Sequence, residues 1–253
     1  MLKTPSGKSV TSGSRSDNVV ALLTEAIFAG RYPPGTPLRE IKIARELSVS
    51  QATIRESLQK LEYAGLVVRV PNEGTTVVRL TPQDIRERVE LRAELEVFAA
   101  RKAARRMTGA DYAELKQRLQ TLTAAVEADE YYEGAQADLA FHRYIWQCSG
   151  SRTLVAALEH VTVPLLAFVS LLRHTGFQHL PDVVAAHEPL IEALRSGRDE
   201  RIETAFREGA TQSYREFMDT GVGSKRAFAF GFMEAGARSL SEKSLADLKI
   251  DGP

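Results

Sequence analysis

Between Asp17 and Ala29 the apolar residues fall at Val19, Val20, Leu22, Leu23, Ala26 and Ile27, the stripe of a helix with one buried face. Gly30 and the run Pro33-Pro34-Gly35 stop it. Leu38–Leu47 predicts a second short helix, Val49-Ser50 a tight turn, and Gln51–Ala64 a third helix with Ile54, Leu58 and Leu61 facing inward. Gly65 ends that helix. The spacing then shortens. Leu66–Val70 predicts a strand, Pro71-Asn72-Glu73-Gly74 a hairpin turn, and Thr75–Arg79 a β-branched return strand. Three helices followed by a two-stranded wing make the winged form of the helix-turn-helix.

The pattern changes at Leu80-Thr81-Pro82-Gln83-Asp84, where Thr81 is placed to cap a helix with Pro82 in its first position. Amphipathic stretches follow at 82–107, 110–128, 133–148, 151–173, 181–197 and 199–219, broken at Thr108-Gly109, Asp129–Tyr132, Ser149-Gly150, Gly176 and Gly197. Almost no strand signal interrupts them, so an all-α antiparallel bundle is expected, with Pro164 kinking its helix. The division is therefore a polar, disordered arm at 1–14, a winged-helix domain at 15–80, a helical domain at 81–220 and a tail at 221–253 with no assigned role.

Composition narrows the class. Apolar residues make up 43% and charged residues 26% of the 253, the balance of an ordinary soluble protein. The apolar stretch Val161–Leu172, interrupted by Pro164 and Ser170, reads as too short for a membrane span. Met1–Asn18 lacks an apolar signal core, and the single Cys148 fits a reducing cytoplasm. A net charge of zero does not suggest a nucleic-acid partner, but its distribution does: residues 1–80 carry 11 basic and 7 acidic residues, a net of +4, balanced by −4 in the remainder.

The segment 43–58 carries the most chemistry. A short helix ends, turns at Ser48–Ser50, and a new helix presents Ser50, Gln51 and Thr53 at its N-terminus with Arg55 one turn in. Free backbone N–H groups and small hydroxyls there suit phosphate oxygens. Arg55 can pair with guanine and Gln51 with adenine. The other reading is an ordinary helix with solvated polar residues, against which stand the preceding helix and the wing, in the right order.

The pieces Ala26-Ile27-Phe28-Ala29-Gly30, Pro34-Gly35-Thr36-Pro37-Leu38, Ile54-Arg55-Glu56-Ser57-Leu58-Gln59-Lys60-Leu61-Glu62 and Gly65-Leu66-Val67 resemble the GntR family of transcription regulators across residues 18–80. The resemblance implies a two-fold dimer on double-stranded DNA, each recognition helix in a major groove and each wing tip, here Asn72 and Gly74, at the adjacent minor groove. Thr53 and Arg55 match family DNA contacts. Gln51 stands where the family usually has Arg, and Glu73 where it often has a basic residue, which implies a different preferred operator.

In the helical half, Asp138 and His142 are four apart and share one face of a helix. His187 lies on a later helix among Val183, Val184, Leu190 and Ile191. A carboxylate with two imidazoles from separate helices can hold a divalent metal of the zinc or nickel kind. It can equally be an intrahelical pair beside a core histidine. Residues 82–219 are similar to the FCD domain of the FadR-like branch, through Glu90–Glu96, Asp138–His142, Ser149-Gly150 and His187–Leu194. That resemblance implies a metal held by an Asp and three His and a carboxylate effector beside it, with Arg92 facing the cavity. Asp138, His142 and His187 take three ligand positions; Gly209 stands at the fourth. Either three ligands remain around an open site, with the glycine leaving room near the metal, or the site has decayed and a larger acyl-type effector binds without metal. His160, His174 and His179 lie off the family position, and Arg92 can instead pair with Glu96 at i+4.

An open Asp/His/His site can activate water, but no general base, nucleophile elbow or phosphate loop accompanies it, so an enzyme is not expected. The remaining alternative is an architectural DNA-binding protein whose helical part only dimerises. The expectation is a cytoplasmic, effector-controlled regulator, with repression as the default.

Overall fold

The computed structural model describes residues 14–71, 74–174, 183–212 and 214–215. Arm residues 1–13, the tail 221–253, Asn72, Glu73 and His179 fall outside them.

The N-terminal part is built from α1 (Arg15–Phe28), β1 (Pro37–Leu38), α2 (Glu40–Glu46), α3 (Gln51–Tyr63), β2 (Val67–Val70) and β3 (Gly74–Val77). Helix α1 starts in a capping box, with the Asp17 amide on the Ser14 hydroxyl and the Ser14 amide on the Asp17 carboxylate. It is tied to α3 by the Ser57 hydroxyl on the Ser16 carbonyl and by Lys60 on both Ser16 and Asp17. The wing differs from the expected two strands: the sheet is three-stranded and antiparallel, in the order β1-β3-β2. Pro37 and Leu38 pair with Thr76 and Thr75, so Leu38 ends a strand rather than beginning a helix, and α2 starts two residues later. A two-residue strand has no period to read. It exists because the turn after α1 brings the Gly35 amide to the Val77 carbonyl and the Val77 amide to the Thr36 carbonyl.

The second part comprises α4 (Pro82–Ala104), α5 (Gly109–Glu127), α6 (Tyr131–Cys148), α7 (Arg152–His174), α8 (Glu188–Ser196) and α9 (Asp199–Gln212). Thr81 and Asp84 form the capping box of α4, with Pro82 in its first turn. The stretch expected as one helix over 181–197 is a turn at 183–187 followed by α8, and His187 is its N-cap rather than a residue of its face. Pro189 sits in the first turn of α8, where it costs no hydrogen bond.

Helix α7 is the seam between the two parts. Its Arg152–Leu172 segment is long and apolar enough to cross a membrane by length and composition, which corrects the shorter reading, but most of it is buried inside the protein. Leu154, Leu158, Val163, Leu166 and Ala167 share one core with Val19, Leu23, Ile27, Phe28 and Leu61 of α1 and α3. Pro164 has no N–H to give the His160 carbonyl, four residues back. That carbonyl accepts instead from Arg88 Nη1 of α4 at 3.0 Å. The same turn receives the end of α3: His160 Nδ1 donates to the Tyr63 carbonyl at 2.9 Å, and Gly65, at φ +77, passes so close that a Cβ would lie 3.0 Å from the His160 oxygen.

Candidate functional site

The first candidate site is the start of α3. Ser50 is its N-cap: the hydroxyl accepts from the Thr53 amide at 3.1 Å and lies 2.8 Å from the Thr53 hydroxyl. Those two hydroxyls therefore hold the helix end in shape, and what projects outward is Gln51 and Arg55, both exposed. Both reach one acceptor that the sequence did not single out. Glu40 Oε2 accepts from Gln51 Nε2 at 3.0 Å and from Arg55 Nη2 at 3.1 Å. Burial alone would raise the Glu40 pKa, but Arg55 and Gln51 outweigh it and hold the carboxylate ionised. Glu40 of α2 thus ties both side chains to one carboxylate oxygen. Gly74, exposed at φ +93 with open space around it, sits at the wing hairpin.

The second centre lies inside the bundle. Asp138 and His142 of α6, Arg92 and Glu96 of α4 and His187 at the start of α8 converge there, with Arg92, Glu96, His142 and His187 each under 5% exposed. Arg92 Nε donates to Glu96 Oε1 at 3.2 Å, and Arg92 Nη2 lies 3.3 Å from His142 Nε2. An arginine only donates, so Nε2 is the acceptor, and the proton of a neutral His142 sits on Nδ1, 3.2 Å from Glu96 Oε1. His187 is fixed likewise: its Nδ1 donates to the Val183 carbonyl at 2.6 Å. Both Nε2 atoms then face Asp138 Oδ1, at 3.6 Å from His142 and 2.7 Å from His187.

Those geometries fit a cation. The buried His187 Nε2 has no aligned hydrogen bond despite its closeness to Asp138. Two lone pairs that near repel unless a proton or a metal ion lies between them. Burial lowers the His187 pKa, but Asp138 outweighs it and pulls it up; burial works to raise the Asp138 pKa, but His187 and the other cations outweigh it and hold it well below the usual range. Asp138, His142 and His187 offer ligand atoms all within 4.8 Å of one another. His187 has its other nitrogen on an acceptor, the outer-sphere arrangement that orients metal-binding histidines, while His142 Nδ1 lies 3.2 Å from Glu96 Oε1 without an aligned hydrogen bond. The residues present therefore suit a divalent ion of the N/O-binding type.

Gly209 does not leave the open space expected of it. A Cβ there would meet Leu190 Cδ2 at 3.3 Å, so the leucine of α8 closes the place. His160 is engaged at Tyr63, away from the centre. Sequence reasoning missed one member of the centre and held another only as an alternative. Glu96 was visible only as a partner of Arg92. Tyr214, 1% exposed, packs with Ile85 and Val89; burial pushes its hydroxyl pKa up while the nearby Arg92 guanidinium opposes the shift. Nothing in its local spacing marks it, because the contact closes a turn beyond α9.

A cavity of about 100 Å³ opens beside Asp138, between α5, α6 and α7. Leu122, Val126, Leu166 and Val169 make its walls apolar, Ser170 and Val183 complete them, and Asp129 and Glu130 stand at the exposed rim.

Two domain families match: the gntR family of bacterial regulatory proteins over residues 15–77 and the FCD domain over 87–210. A helix-turn-helix regulator of Agrobacterium vitis is 32% identical over 148 residues, covering 56% of this chain and 85% of the relative. A probable D-xylose utilization operon repressor of Paenarthrobacter nicotinovorans is 27% identical over 199 residues, covering 79% and 87%. Among solved structures, Escherichia coli McbR/YncC superposes with a TM-score of 0.68 at 22% identity, over 81% of this chain and 98% of its own, which supports the fold. These relatives are regulators and not enzymes, and the chain belongs to the GntR family of transcription regulators, with a C-terminal FCD domain.

Proposed function

We propose that the protein is a cytoplasmic repressor whose hold on its operator is controlled by a small carboxylate bound in the helical domain. A divalent metal held by Asp138, His142 and His187 supplies positive charge for the carboxylate. The observation that carries this reading is the paired orientation of the two imidazoles: Val183 and Glu96 face one nitrogen of each, and both other nitrogens converge on Asp138 Oδ1. Arg92, 3.3 Å from His142 Nε2, is a second cation at the same spot. Arg92 does not line the cavity beside Asp138, so it pairs with an effector carboxylate only where that group reaches the metal centre itself. The apolar cavity supports a small effector over the acyl alternative. Its volume of about 100 Å³ suits a small molecule better than a long acyl chain.

On DNA, Gln51 and Arg55 read base edges, the α3 N-terminus with Ser50 and Thr53 faces phosphate, and Asn72 and Gly74 bring the wing to the neighbouring groove. A two-fold dimer presents two such heads to an inverted repeat with half-sites about 34 Å apart. Leu91 and Phe98, exposed two turns apart on α4, offer the second copy an apolar stripe. The helical domain begins at Thr81, and Leu80–Gln83 is the hinge.

The test is operator selection from random DNA, then titration of the selected fragment with protein carrying zinc or nickel, with and without two- to five-carbon carboxylates. The proposal expects at least a tenfold weakening by one carboxylate that depends on metal. Operator affinity indifferent to metal and to every carboxylate would reduce the protein to an architectural DNA binder.

A further inference from the structure

The C-terminal turn of α1, part of the DNA-binding half, is docked on the outer wall of the bundle cavity. Ser170 belongs to that wall, is 2% exposed, and donates its hydroxyl to the Phe28 carbonyl at 3.2 Å. Phe28 is the last residue of α1, so its carbonyl has no partner within the helix. The Phe28 ring meets Tyr132 of α6 edge-on, with centroids 5.9 Å apart. Tyr131, Gly134 and Ala135, which flank Tyr132 along α6, line the same cavity. One residue of the N-terminal half is therefore gripped on two sides by two of the three helices that form the cavity.

A serine hydroxyl has one proton to give. While it serves Phe28, it cannot serve an acceptor inside the cavity. We infer that Ser170 is a latch between the two halves: a bound effector oxygen takes the Ser170 proton, and the Phe28 carbonyl is left buried without its donor. The α1 C-terminal turn then loosens from α7, and the recognition helix that α1 carries loses its fixed orientation. The route runs through α7 rather than through the Leu80–Gln83 hinge alone. This inference rests on reading the cavity as the effector site, but the latch itself is testable without any ligand.

The experiment uses the full chain as Ser170→Ala and Ser170→Thr, with hydrogen exchange of the amides of Ala29, Gly30 and Tyr32, which close the end of α1. Affinity for the selected operator fragment is measured on the same samples. In Ser170→Ala those amides exchange at least tenfold faster while amides of α5 and α9 keep their wild-type rates, and operator affinity falls about tenfold. Ser170→Thr, which keeps a hydroxyl, stays close to wild type in both. Wild-type exchange at the three amides together with wild-type operator affinity in Ser170→Ala overturns the latch. Faster exchange spread evenly over α5 and α9 also overturns it, because Ser170 is then only a packing residue. The carboxylate series is added last: a compound that weakens operator binding of wild type has no further effect on Ser170→Ala, and an equal effect on both overturns the competition. Silence of the whole series on wild type counts against the carboxylate reading, while the exchange result still decides the latch.

Discussion

Replacing Arg92 by methionine isolates the energetics of the buried centre. Arg92 is 3% and Glu96 1% exposed, and Arg92 Nε and Glu96 Oε1 lie 3.2 Å apart. Burial works to raise the Glu96 pKa, yet Arg92 and His142 outweigh it and hold the value at about 2. Removing the guanidinium leaves that carboxylate buried without its main counter-charge, which costs about 3–5 kcal/mol. The double variant Arg92→Met, Glu96→Leu removes both charges and leaves the two His142 nitrogens without the groups that faced them, a loss of about 2 kcal/mol. The sign with pH follows from the depressed Glu96 pKa. Wild type keeps this stabilisation above the ordinary carboxylate range and loses it as pH falls toward 2. In Arg92→Met the dominant remaining influence is burial, so the carboxyl takes its proton at higher pH. The gap between variant and wild type is thus widest near neutrality and narrows in acid. Urea unfolding followed by circular dichroism at pH 7 and pH 5 measures it. A single variant within about 1 kcal/mol of wild type, or a double variant as weak as the single, refutes the buried-pair account.

Glu40→Gln removes the charge that holds Gln51 and Arg55 before DNA binds; affinity for random duplex rises and discrimination among operator sequences falls, read by competition binding, and unchanged discrimination would show that Glu40 does not pre-set the two side chains. Gly65→Ala introduces a Cβ 3.0 Å from the His160 carbonyl and 3.1 Å from Pro164 Cγ, at a φ of +77. It costs at least about 1–2 kcal/mol in urea unfolding, and a neutral outcome would mean that the end of α3 is not pressed against α7. Gln51→Arg changes the preferred operator in a selection from random DNA; an unchanged preference would remove Gln51 from base reading.

Much of this architecture is legible along the chain because it is periodic or punctuated. The α3 stripe of Ile54, Leu58 and Leu61 is such a signal, as are the Thr81–Asp84 capping box and the stop at Gly197, which adopts φ +62. Strand β1 escaped because two residues have no period and its partners lie nearly forty residues away. The turn before α8 escaped because Val183, Val184 and His187 continue the apolar spacing of the helix that follows. In the buried centre, Asp138 and His142 are readable as an i, i+4 pair, whereas the role of Val183 lies in its backbone carbonyl, about which side-chain patterns say nothing. Gly209 gave a misleading cue: a missing side chain suggests space, but Leu190 from the neighbouring helix fills it.

The central claim is that Asp138, His142 and His187 hold a metal ion. Elemental mass spectrometry of protein stripped by chelator, reloaded with zinc or nickel and desalted tests it directly, beside His187→Ala treated in the same way. The account predicts about one equivalent of metal in the wild type and its loss in the variant. Absence of metal from the loaded wild type, or equal metal in both proteins, would contradict it.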